Sequence, residues 1–66
     1  MKISYDPDSD TLSLILRPGD VAESDEENPG VILDFDEDGE ILSIEILDAS
    51  RRVSDPRTIE FTAISA

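Results

Sequence analysis

The sequence predicts a mainly β fold: two antiparallel β-hairpins related by an internal repeat, a short helical turn near residues 49–53, and a suggested C-terminal strand. Three observations carry that reading. Apolar residues alternate on both sides of Gly39, as Val31, Leu33, Phe35 and then Leu42, Ile44, Ile46, which is the period-two pattern of a half-buried strand. Between the two runs stands Asp38-Gly39, a preferred pair for a two-residue type I′ turn. The same design then recurs, without gaps, near the start of the chain.

The N-terminal hairpin comes first. Laid on the later segment, Asp6, Asp8, Leu12 and Ser13 fall on Asp36, Asp38, Leu42 and Ser43, while Ile3, Tyr5, Leu14 and Leu16 fall on Leu33, Phe35, Ile44 and Ile46. The repeat units are therefore about residues 1–17 and 31–47. The implied turn is Asp8-Ser9, pairing Tyr5 with Leu12, Ile3 with Leu14 and Met1 with Leu16. Pro7 beside the turn favours a longer loop.

The link from Arg17 to Gly30 opens on Pro18-Gly19 and closes on Pro29-Gly30. Between them Val21 to Ser24 reads equally as a short edge strand, its neighbouring charges opposing edge-to-edge aggregation, or as a solvated loop.

In the second hairpin a turn at Asp38-Gly39 pairs Phe35 with Leu42, Leu33 with Ile44 and Val31 with Ile46, all apolar. The other face pairs Asp36 with Ile41, Asp34 with Ser43 and Ile32 with Glu45, which suits partial exposure. A slip of one residue would mix the two faces, so the pattern specifies its own register. After Leu47, Asp48 is placed to cap a helical turn over 49–53, and Pro56 stops any longer helix. Ile59, Phe61 and Ala63 then alternate with polar residues and suggest a last strand. The expected core is Tyr5, Leu12, Leu14, Leu33, Phe35, Leu42, Ile44 and Ile46. Ile15, Ile32 and Ile41 fall on the opposite face.

With 66 residues and 38% hydrophobic content, the chain is expected to form one small domain, 1–66. Such a domain buries only about 60% of the surface its unfolded chain exposes. The sequence has no cysteine and no histidine, so disulfides and thiolate or imidazole metal sites are excluded. Without those staples, packing or self-association has to supply stability, and a homodimer is expected. The net charge of −12, from 17 acidic and 5 basic residues, opposes binding to nucleic acid or anionic membranes. It favours a cationic partner or a divalent metal. No apolar run approaches a membrane span, and Lys2 is followed at once by polar and turn residues rather than a leader. The expected compartment is cytoplasmic.

The segment DFDEDGEILSIE, 34–45, matches an EF-hand calcium loop: Asp34, Asp36 and Asp38 lead, Gly39 makes the turn and Glu45 closes. An EF-hand also needs a helix entering and a helix leaving, yet Pro29-Gly30 stands where the first belongs and both flanks alternate with period two. The hairpin reading accounts for every apolar residue; the EF-hand reading accounts only for the acids and the glycine. What survives is a weak metal candidate. Asp34 and Asp36 share a face of the hairpin, with Glu45 diagonal to Asp34 at roughly 7–8 Å between Cα atoms. Asp6, Asp8 and Asp10 offer a similar cluster. Solvated acidic turns explain both sets more simply.

Catalytic constellations are scarce. Nucleophilic triads need histidine or cysteine, and the three glycines stand alone in turns rather than in a phosphate loop. Paired carboxylates could support glycoside hydrolysis, but so short a sheet hardly builds a cleft. Tyr5 aligns with Phe35 as a core aromatic, and Arg51, Arg52 and Arg57, which could clamp a phosphate or carboxylate, are better read as balancing the acidic surface of this chain or of a partner subunit. No catalytic residue, no enzyme activity and no cofactor are expected.

The opening M-K-I-x-Y-D-P-x-x-D-x-L, the middle V-A-E-S, and the strings P-G-V-I-L-D-F-D-E-D-G and I-E-I-L-D-A-S-R-R resemble the small prokaryotic proteins grouped as domain of unknown function 2283. The resemblance runs from Met1 to about Val53; the tail departs from it. It implies no activity or functional residues. It does imply a role beside toxin-like neighbours, as an antitoxin-like protein-interaction module binding a basic partner. The alternative is a weak divalent-cation-binding or purely structural β domain.

Overall fold

The computed structural model describes residues 1–65. Among them five strands form one antiparallel sheet: β1 Lys2–Asp6, β2 Thr11–Ile15, β3 Glu23–Asn28, β4 Val31–Phe35 and β5 Ile41–Ile46. One helical turn, α1 Ala49–Arg52, follows. The spatial order is β1-β2-β5-β4-β3. The two expected hairpins therefore abut through their second strands, β2 against β5. The mainly β class is as the periodicity predicts.

The first hairpin keeps its expected register, with Ile3 opposite Leu14 and Tyr5 opposite Leu12. Pairing ends at Asp6 and Thr11, so the connection is residues 7–10 rather than Asp8-Ser9 alone. Proline has a fixed φ and no N–H to donate. The Asp6 carboxylate organises the turn, accepting the Asp8 N–H and the Ser9 hydroxyl, each at 3.0 Å.

In the second hairpin Leu33 faces Ile44, Val31 faces Ile46 and Asp34 faces Ser43, all as expected. A bulge then shifts the register, and Phe35 pairs with Ile41 instead of Leu42. The turn is not a two-residue type I′ turn at Asp38-Gly39. The Gly39 N–H bonds the Asp36 carbonyl at 3.0 Å and the Asp36 N–H bonds the Glu40 carbonyl at 2.9 Å. That is a three-residue loop with Gly39, at φ 80, in the left-handed bulge position. The cause is Asp36, whose carboxylate accepts the N–H groups of Asp38 (2.9 Å) and Glu40 (3.0 Å) and so starts the turn early.

The acidic link resolves as an edge strand, but β3 starts at Glu23 and runs on through Asn28. Pro29-Gly30 is the turn joining it to β4, since Asn28 pairs with Val31. All six β3 residues are exposed, which is how an acidic sequence can occupy a strand: its side chains stay in water while its backbone completes the β4 ladder.

Two further expectations are corrected. Residues 59–65 form no strand; alternation supplies side-chain pattern, whereas a strand also needs a backbone neighbour. Asp48 makes no side-chain cap for α1 and sits in the left-handed region at φ 54. The cap comes from across the chain. The Ala49 N–H donates to the Asp10 carbonyl at 2.9 Å, and the Asp10 carboxylate takes both the N–H (2.9 Å) and the hydroxyl (2.6 Å) of Ser50.

The register lines up two apolar rows on one face of the sheet. They run Tyr5–Leu12–Ile46–Val31 and Ile3–Leu14–Ile44–Leu33. Of the expected core only Leu12 (8% exposed) and Leu42 (3%) are buried; Tyr5, Leu14, Leu33, Phe35, Ile44 and Ile46 are half-buried. The small Ala49 is fully buried, a member that periodicity did not reveal. Leu42 owes its burial to the segment after β2, where a Cβ on Gly19 would stand 2.9 Å from Leu42 Cδ2. One sheet with little laid over it makes a thin core.

Candidate functional site

On the sheet's other face the register sets Lys2, Ile15, Ser43, Asp34 and Ser24 in one row. A neighbouring row holds Ser4, Ser13, Glu45, Ile32 and Glu26. Asp34 lies on β4 with a strand on either side and is buried at 7% exposure, as is Ser43 at 9%. Partial exposure was the expectation for this pair; β3, which runs further than the short edge strand suggested for 21–24, closes the outer side. Ser24 on β3 donates its hydroxyl to Asp34 Oδ1 at 2.6 Å, and Ser43 on β5 donates to Oδ2 at 2.7 Å.

Glu45 completes the cluster. Burial, then the hydrogen bond and the charge of Asp34, hold its carboxyl above the ordinary glutamate value. For Asp34 burial pushes upward too, but the hydrogen bonds from Ser24, Ser43 and Glu45 outweigh it and hold the carboxyl low. Of the two neighbouring carboxyls, Asp34 is therefore the more acidic and Glu45 the first to take up a proton as pH falls. Every buried side-chain polar atom among the described residues has a partner. The arrangement is a satisfied polar seam tying β3, β4 and β5 together.

Of the three metal candidates, Asp34 and Glu45 meet in this seam, and Asp36 does not join them. Asp36 sits in the β4–β5 loop, where backbone N–H groups from Glu40 and Asp38, with the Arg17 guanidinium, occupy its carboxylate and hold its pKa low. Among the described residues no three acidic groups converge as metal ligands would. Asp6 and Asp10 serve their own turn and the helix cap. Two participants escaped sequence reasoning: Ser24, because its segment had two readings, and Asp10, because a cap supplied from 40 positions away leaves no local signature.

The surface available to other molecules is different. Strand β3 ends the sheet and its outer side has no neighbour among the described strands. Glu23, Asp25, Glu26 and Glu27 stand along it, all exposed. At the opposite end Arg57 lies over the Tyr5 ring, 5.5 Å from its centre.

These features define a small acidic β protein, one antiparallel sheet with a charged open edge. The chain belongs to the family described as "Protein of unknown function (DUF2283)", whose sequence profile matches residues 2–50. The resemblance seen in the motif string thus holds, and it stops just short of the divergent tail. The chain is also similar to the uncharacterized protein MJ0789 of Methanocaldococcus jannaschii, 37% identical over 51 residues that cover 77% of this chain and 43% of that protein. It thus spans less than half the length of that curated relative. No solved structure matches the chain significantly. Among the described residues no helix is long and apolar enough to cross a membrane.

Proposed function

We propose that this protein is a non-enzymatic interaction module whose acidic edge strand β3 docks a basic protein partner. The observation that supports this is the edge itself: six consecutive exposed residues, four of them acidic, on a strand with an unpaired outer side. An extended segment of a partner can add to such an edge through main-chain hydrogen bonds, while its lysines or arginines meet the carboxylates. The net charge of −12 steers a cationic partner towards the molecule and slows an anionic one. The finer form of this reading is antitoxin-like masking of a basic protein encoded nearby.

The alternative, weak divalent-cation binding or a purely structural role, draws less support. Asp34 and Asp36 already have their oxygens engaged by internal donors.

Co-expression with a small basic neighbour tests the proposal. A complex is expected that survives low ionic strength and dissociates as salt rises. The double reversal Glu26→Lys/Glu27→Lys should abolish it, whereas Glu37→Lys in the distant β4–β5 loop should leave it largely intact. Failure to co-purify at low salt, or indifference to the β3 reversal, would remove the basis for this function.

A further inference from the structure

The apolar rows and the C-terminal segment leave an unexplained surface. The chain exposes 5070 Å². A compact monomer of 7.3 kDa exposes about 4,200 Å². The excess of about 900 Å² is close to the roughly 800 Å² that each partner buries in a stable interface of standard size. No large side chain is fully buried anywhere among the described residues.

Three of the exposed large apolar residues lie together in the C-terminal segment. Beyond Pro56 the chain crosses the apolar face beside Ile3, Tyr5 and Leu12. From there Ile59, Phe61 and Ile64 stand 54%, 79% and 91% exposed. A sheet face with half-buried leucines and isoleucines and a segment with unburied apolar side chains thus begin on the same side of one molecule. Within the chain only the start of the segment, Pro56 to Ile59, meets that face, and Phe61 and Ile64 stay exposed.

We infer that two copies of this chain associate through these surfaces, the segment 59–64 of each covering the apolar rows of the other. Charge selects the occupant. Across β1, β2, β5 and β4 both rows hold only apolar or aromatic residues, while the acids lie in turns, on the other face and on β3. A basic partner gains nothing at the rows; a second copy brings its own matching segment. The interface is isologous, the same two patches meeting twice around a twofold axis. It leaves β3 at the far edge of the sheet free, so this association is independent of the partner proposed above.

Sedimentation equilibrium from low to high micromolar concentration tests the inference. The protein should sediment with twice the monomer mass, and its dimer should tighten as salt screens the −12 charge of each copy. That salt response is opposite in sign to the one expected of a complex at β3. Phe61→Ser/Ile64→Ser changes two exposed residues and no net charge, so the sheet should keep its circular dichroism. Its dimer should weaken by at least about tenfold, as for loss of an interface anchor. Glu26→Gln on β3 should not weaken the dimer. A monomer across the whole range overturns the inference, and so does a dimer that the double serine variant retains.

Discussion

Asp10 and Ser50 join the first hairpin to the helical turn that follows the last strand: one carboxylate receives both the main-chain N–H and the hydroxyl of the serine, at 2.9 and 2.6 Å. The Tyr5 hydroxyl donates to the same carboxylate at 2.7 Å. Asp10 can do this because it adopts the left-handed conformation, φ 51, which aspartate and asparagine tolerate better than most residues. The helical turn is thereby anchored to the sheet, and Ala49 is buried beneath it.

The first prediction concerns that anchor. Asp10→Ala should expose the Ser50 amide to rapid hydrogen exchange and free the helical turn, while Asp10→Asn keeps part of the protection. Hydrogen bonds from Ser50 and then Tyr5 hold the Asp10 carboxyl below the usual aspartate range. A depressed carboxyl contributes its stability above the unfolded value and loses it as pH falls through the lower folded value. Protection at Ser50 should accordingly survive mild acid and fail only below the ordinary aspartate range. Protection unchanged in Asp10→Ala would contradict the assignment.

The second addresses the seam on the other face. Asp34→Ala removes the acceptor of the Ser24 and Ser43 hydroxyls and should cost about 1–3 kcal/mol in urea unfolding, the range for leaving a buried group such as Ser43 unpaired. Glu45 carries the opposite sign from Asp34. Its raised carboxyl favours the folded state while protonated, and that contribution is lost as pH rises through the elevated value. Glu45→Gln keeps a donor towards Asp34 without the charge, so its stability relative to the parent should rise with pH across that window. Parallel pH profiles for the two proteins would show that Asp34 and burial do not hold the Glu45 carboxyl high.

Core thinness supplies the third. Leu42→Ala should cost about 2–3 kcal/mol, the lower part of the range for leucine truncation, because its cover is a single loop around Gly19 that can settle into the space left. Leu14→Ala, at a half-buried site on the same sheet, should cost less. Equal losses in thermal or urea unfolding would mean the two sites are equally enclosed.

The fourth is the β4–β5 loop. Gly39 has φ 80 and open space where a Cβ would point, so the cost of a side chain there is conformational rather than steric crowding. Gly39→Ala should destabilise by about 1 kcal/mol, and Gly39→Asn by less. Alanine tolerated without loss would place the loop in another conformation.

Much was legible in the letters alone. Period-two alternation identified β1, β2, β4 and β5, and one-sided apolar patterning set the registers Leu33–Ile44 and Ile3–Leu14, because a one-residue slip would turn every apolar side chain into water. The EF-hand pattern could be read as a hairpin for the same reason. The bulge at Phe35 was hidden because Asp36, not Asp38-Gly39, nucleates the turn, a choice between two local hydrogen-bond patterns that the same letters allow.

Tertiary structure decided the rest. The strand β3 forms because β4 offers it a backbone edge, and its acidic side chains carry no periodic signal that could announce it. The same neighbour buries Asp34 and turns an apparently solvated acid into the centre of the seam. In the tail the converse holds: Ile59, Phe61 and Ala63 alternate as a strand would, yet no edge of the chain receives them. Side-chain alternation is a property of one segment and can be read along the sequence. Backbone pairing belongs to two segments at once, and only the folded arrangement determines which edges are left to share.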